Sequence, residues 1–161
     1  MDVRAPNSDG WHVLSNSPVG MVFGRPGNEH GESYVAQVFM FALEETNDSD
    51  ELLTLIRKKF EDDADPSRFE LIESNLKLSE ERGYPCTIVN YVARDKKART
   101  SLLRRDVLLL QVESVYCRHP VRQETGFAII YSYRGKTMYT NLSVEAQDFI
   151  RGVRVPAPGD N

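Results

Sequence analysis

Cys117 and His119, separated by Arg118, are the two side chains best placed to act as nucleophile and base. Positions i and i+2 share a face only while a strand continues, and Pro120 marks the end of this one. A reactive thiolate also needs a helix N-terminus or a strong positive site to lower its pKa, and Arg118 alone is thin support. The pair therefore reads as a structural cysteine beside a loop histidine. His12 and His30 stand at no metal-ligand spacing from a Cys, an Asp or another His. The run Glu61-Asp62-Asp63-Ala64-Asp65 lacks the glycine and the distant bidentate glutamate of a calcium loop, and reads as a solvated helix end. Gly20, Gly24, Gly27 and Gly31 lead into no Lys-Ser, no Lys-Thr and no helix start, so they make no phosphate cradle. On these residues the sequence predicts no catalytic set, no metal and no cofactor: a chain that is not an enzyme.

Two other groups could bind. Arg94, Lys96, Lys97, Arg99, Arg104 and Arg105 form the strongest charge feature. Such a run can meet phosphate, an anionic lipid surface or an acidic partner. It holds no aromatic on which a base could stack, which argues against single-stranded nucleic acid. Its plainer reading is a solvated hairpin tip. The second group is aromatic. Tyr131 and Tyr133 alternate with Ile130 and Ser132, so both point to one face of a strand. With Tyr91 and Tyr116 they are a candidate ligand groove; the plainer reading is half-buried sheet tyrosines with hydroxyls in water.

The elements that must position these groups follow from pattern. Short strands are predicted at 11–14 and 20–24, and a strongly apolar one at 34–43, whose lack of clean alternation predicts burial on both faces. Asp48 with Glu51 matches a reciprocal cap, starting a helix with Leu52, Leu53, Leu55, Ile56 and Phe60 on one broad face. Asp65-Pro66 ends it. Strands at 69–78 and 84–94 follow, then a basic connector at 95–105, then strands at 107–117 and 127–134. After a short extended piece at 137–142, Ser143 is the expected cap of a last helix, with Val144, Phe149, Ile150 and Val153 on its apolar side. Consecutive strands joined by short turns pair antiparallel. The fold class is α+β, an antiparallel sheet of about six or seven strands covered by two amphipathic helices.

A chain of 161 residues makes one domain, long enough to bury roughly 70% of its unfolded surface. We place this domain at 11–155, between disordered tails at 1–10 and 156–161 rich in Pro, Gly, Asp and Asn. The net charge of −4 gives no reason to expect nucleic acid, and no apolar run is long enough to cross a bilayer. Residues 1–10 have no apolar central region. Either the protein is cytosolic with a frayed start, or the chain begins after a removed signal or lipid anchor.

The arrangement resembles the Mog1/PsbP-like fold. The residues that carry the resemblance are 20–23, 34–43, the strand 127–133 with its Ser132, and the terminal Phe149-Ile150 pair. That group includes bacterial envelope lipoproteins. The resemblance implies a non-catalytic binding or accessory domain with a protein partner, acting in assembly or as a scaffold in the cell envelope or periplasm. The residues leave open a small-molecule enzyme with an unrecognised site, a secretion or chaperone-type interaction protein, and a cytoplasmic location.

The cysteines favour the envelope. If the strands flanking the basic connector form a hairpin centred between Ser101 and Leu102, Cys86 lies opposite Cys117, Ile88 opposite Val115 and Tyr91 opposite Val112. Opposed residues have Cβ atoms about 4.5–5.5 Å apart, near enough for a disulfide after small adjustment. The register predicts neighbouring, bonded sulfurs, and a bond implies an oxidising compartment. The open alternative is two buried, reduced cysteines acting as small hydrophobes.

Overall fold

In the computed structural model, which describes residues 1–46, 48–101 and 103–156, strands β1 (His12–Ser17), β2 (Gly20–Pro26) and β3 (Ser33–Ala42) precede helix α1 (Ser49–Asp63). Strands β4 (Phe69–Ser79), β5 (Cys86–Arg99), β6 (Arg105–Arg118) and β7 (Thr125–Gly135) follow, and helix α2 (Leu142–Gly152) closes the order. The strands form one antiparallel sheet in the order β1-β2-β3-β7-β6-β5-β4. The α+β class is as expected. Among the described residues no helix is long and apolar enough to cross a membrane.

The two helices lie on opposite faces of the sheet. Leu142, Ala146, Phe149 and Val153 of the α2 region pack on Phe127, Ile129, Tyr131 and Tyr133, the odd-numbered positions of β7. Leu52 and Ile56 of α1 pack instead with Leu43 and Val89, against Phe41, Tyr91 and Tyr116. Phe41 and Tyr116 oppose Gly126 and Ala128, even-numbered positions of β7. Because Ile56 is nearly fully buried, Ile56→Val is expected to cost about 1 kcal/mol in a denaturant melt. The exposed Val144→Ala change should stay within about 0.5 kcal/mol.

Several local expectations need correction. β3 does alternate: Tyr34, Ala36 and Val38 are buried, while Val35, Gln37 and Phe39 are half-exposed. The α2 side of this strand is covered and the α1 side is not, because α1 packs over β4 and β5. Asp48 caps α1 as expected, its carboxylate accepting from the Glu51 N–H at 2.9 Å. Ser143 does not cap α2. The helix begins at Leu142 with Asn141 at the cap position, and the Ser143 hydroxyl donates to Glu113 instead. Val144 is 64% exposed and does not belong to the apolar face. Residues 137–141 form a turn rather than an extended piece, held by the Tyr139 N–H on the Gln111 side-chain oxygen at 2.6 Å. Most of the expected basic connector is strand, since β5 continues to Arg99 and β6 begins at Arg105.

The segment 1–10 is tied down rather than disordered. Asp2 and Arg154 exchange backbone hydrogen bonds of 2.8 and 3.0 Å, Val3 packs on the α2-side core, and the Trp11 indole donates to Ser8. At the other end Val155 is buried; of the expected tail, Pro156 is exposed and residues 157–161 lie outside the described residues.

Candidate functional site

The four tyrosines of the expected groove do not share a surface. Tyr131 and Tyr133 belong to the α2 side, whereas Tyr91 and Tyr116 lie in the clusters on the α1 side. The β6–β7 register places Val112 opposite Ser132 and Tyr116 opposite Ala128, positions that alternate out of phase with Tyr131 and Tyr133. The sheet therefore separates the two pairs. Burial, reinforced by Tyr91, pushes the Tyr116 hydroxyl up to about 12.

Tyr131 and Tyr133 instead join a cluster drawn from six parts of the chain. The Arg25 guanidinium of β2 lies 4.0 Å from the Tyr34 ring centroid and 5.3 Å from that of Trp11. It also makes a 3.5 Å ion pair with Glu145 of α2. The same carboxylate accepts from the Tyr131 hydroxyl at 2.5 Å and the Tyr139 hydroxyl at 2.7 Å. Tyr34, Tyr133 and Tyr139 stack mutually at 5.0–5.4 Å. Burial, together with the hydrogen bond to Glu32, pushes the Tyr133 hydroxyl up to about 12. The Tyr133 ring folds back so closely over Gly135 that a Cβ there would meet its hydroxyl at 2.2 Å. An aromatic box around a cation is a recognition device, but here the chain's own Arg25 occupies it. The cluster is thus a cross-link between β2, β3, β7, α2 and the turn before α2. Beside it, a cavity of about 550 Å³ lies between residues 2–8 and the groups Tyr131, Glu145, Asp148, Phe149 and Arg151. Sequence reasoning missed Arg25, Tyr34, Tyr139 and Glu145.

Cys86 and Cys117 are register partners, with Ile88 opposite Val115 and Tyr91 opposite Val112. Their sulfurs are bonded, with Cα atoms 4.1 Å apart. Both residues are buried under the α2-side core. With Cys117 consumed, no thiolate remains for His119. That ring accepts from the Val121 and Arg122 N–H groups on Nδ1, at 3.1 and 3.2 Å, and packs edge-on against Phe127. Burial, then the neighbouring Arg122, lowers its pKa, and the two bonds to Nδ1 give the ring a structural place in the loop.

The six basic residues are not one patch. Arg94 pairs with Glu70 at 3.0 Å, and Arg104 with Asp106 at 3.1 Å. The Lys96 and Lys97 ammonium groups bond to Pro66 and Ser67. Arg99 and Arg105 remain, directly opposed across the end of the hairpin, and neither has a polar partner among the described residues. At the base of this hairpin, Asp95 is almost fully buried. It accepts from Arg68 at 3.0 and 2.9 Å, from Arg134 at 3.3 Å, and from the Lys97 N–H at 3.1 Å. Burial alone would raise the Asp95 carboxyl. The Arg68 and Lys97 hydrogen bonds and the two guanidinium charges together outweigh it and hold the pKa below the ordinary carboxylate value. The Lys97 bond falls in the bulge between Asp95 and Ala98, so Asp95 shapes the arm that follows.

On the α1 side, the part of the sheet beyond the helix is half open and mixes apolar side chains with the half-exposed polar residues Gln37, Ser132 and Arg134. Val22, Val35, Phe39 and Leu110 are half-exposed there, and Leu14 is 63% exposed beside Gly24 of β2. Val35 opposes Ser132, and Phe39 opposes Ala128, which places them on the α1 side.

No protein-family model matches the chain, and no curated protein matches it. Among the described residues no three His, Cys, Asp or Glu side chains converge as a metal site.

Proposed function

We propose that this chain is a non-catalytic binding domain that takes a protein partner on the open sheet face beside α1, in an assembly or scaffold role. The observation that carries the reading is the group of exposed or half-exposed apolar side chains Leu14, Val22, Val35 and Phe39 on neighbouring strands, with Leu110 across β7. Apolar side chains on a sheet face are normally buried against another layer, and contiguous exposed apolar surface marks interaction sites. We further propose a Mog1/PsbP-like fold and a place in the bacterial cell envelope. The order of elements supports the first and the buried disulfide the second, since structural disulfides persist in oxidising compartments.

The test is a photo-crosslinking residue at position 39, compared with one at the exposed position 144 on α2. A discrete adduct formed from position 39 in cells and not from position 144 is the expected result. Phe39→Asp should then weaken capture by roughly tenfold or more, the effect of losing an interface anchor. No adduct at position 39, or equal adducts at both, would overturn the reading. A small-molecule site is the second reading, and the cavity under residues 2–8 is what favours it.

A further inference from the structure

We propose that the far end of the β5–β6 hairpin docks the protein onto an anionic lipid surface. The inference is independent of the partner face beside α1. Pairing of β4 with β5 starts at Phe69 and Asp95, and pairing of β6 with β7 ends at Leu109 and Gly135. Beyond those pairs no further strand among the described residues pairs with the hairpin, which continues as two strands to the opposed Arg99 and Arg105. Leu103, at its turn, is fully exposed at 101%, and Val107 is 55% exposed.

The arm is braced. Asp95 holds the bulge at its base, and Ala98 and Leu108 are buried within it. The loop at Gly31 lies against Thr100 so closely that a Cβ on Gly31 would come within 2.8 Å of the threonine methyl, at a φ of +81° that favours glycine. A braced arm cannot fold back to hide its apolar end.

Charge points the same way. Arg99 and Arg105 are direct cross-strand partners, an arrangement of like charges that destabilises a hairpin. Neither has a counter-charge among the described residues, so a phosphate seated between them would relieve the repulsion. The chain as a whole carries −4, so its body is repelled by the same surface that attracts the arm. Leu103 decides between a lipid and an acidic protein. It is fully exposed beside the two arginines, an arrangement that suits a yielding bilayer interface, where basic residues hold the headgroups and an apolar side chain enters below them.

The test is co-sedimentation of the intact protein with phosphatidylglycerol/phosphatidylcholine vesicles and with phosphatidylcholine vesicles alone. Binding is expected only to the anionic vesicles, and should fall as salt rises. Replacing both Arg99 and Arg105 by Ala should weaken it about 30-fold, and Leu103→Ser about tenfold. In parallel, Leu103→Cys adds a free thiol to a chain with no free cysteine among its described residues. An environment-sensitive dye there should shift to the blue with anionic vesicles and stay unchanged with polyglutamate. Equal binding to both vesicle types, no shift with anionic vesicles, or a shift with polyglutamate instead would overturn the proposal.

Discussion

Replacing Cys86 and Cys117 together by Ala is expected to remove about 3–4 kcal/mol of stability and lower the melting temperature by roughly 10 °C. The bond joins residues 31 apart, and in the loop-entropy account that separation sets the size of the effect. The two alanines leave no polar group unpaired, so most of the loss should come from the unfolded chain's regained freedom. Thiol titration of denatured, unreduced protein checks the premise: no thiol should react until a reductant is added. Two free thiols before reduction would remove the bond and the main support for an envelope location.

Asp95→Ala is expected to cost about 3 kcal/mol. Removing one partner from a buried ion network leaves the others uncompensated, a loss of about 3–5 kcal/mol when all are buried. The lower end applies because the Arg68 and Arg134 side chains are 40% and 28% exposed, and water partly screens them. Asp95→Asn keeps one acceptor oxygen and should cost less. The folded-state pKa of Asp95 is depressed, so its contribution is fully present above the unfolded value near 3.9 and is lost as pH falls through the folded value. The stability difference between the native protein and Asp95→Ala should therefore hold from pH 7 to about 5 and shrink below about 4. Denaturant melts across that range check the sign; a difference that grows on acidification would exclude the ionised network.

The contrast between cysteines and tyrosines shows which contacts can be read from residues alone. Cys86 and Cys117 lie on consecutive strands of one hairpin, and the position of the turn sets their register. Tyr91 and Tyr116 can be placed by the same reasoning. Their relation to Tyr131 and Tyr133 depends instead on the β6–β7 register, set by a turn through His119 and Thr125 whose side-chain and backbone bonds leave no pattern in the sequence. Arg25 is harder still, since its partners come from distant elements and share no periodicity. Asp48 was legible as a cap because capping is a local contact. Ser143 misled because the chain had already turned at Tyr139–Asn141, where the Asn141 carbonyl takes the Glu145 N–H at 3.2 Å. Asp95 was hidden among cations, and only the fold shows it buried.

The strand order also has a kinetic meaning. β1-β2-β3 is one meander of sequence neighbours, and β4-β5-β6-β7 is another. Within the sheet they are joined along one seam, the ten register pairs from Ser33–Arg134 to Ala42–Thr125. Hairpin pairing within each meander closes short loops, whereas the seam must close the long loop that contains α1 and three strands. The disulfide lies within the second meander, so it speeds no search across the seam. Destabilising substitutions at seam positions such as Ala36 and Ile129 should then speed unfolding with little effect on refolding if the seam zips after the barrier, and slow refolding if it is the barrier. The pairing that closes the longest loop thus lies in the middle of the sheet, and its strand β3 carries Val35 and Phe39, two residues of the proposed partner face.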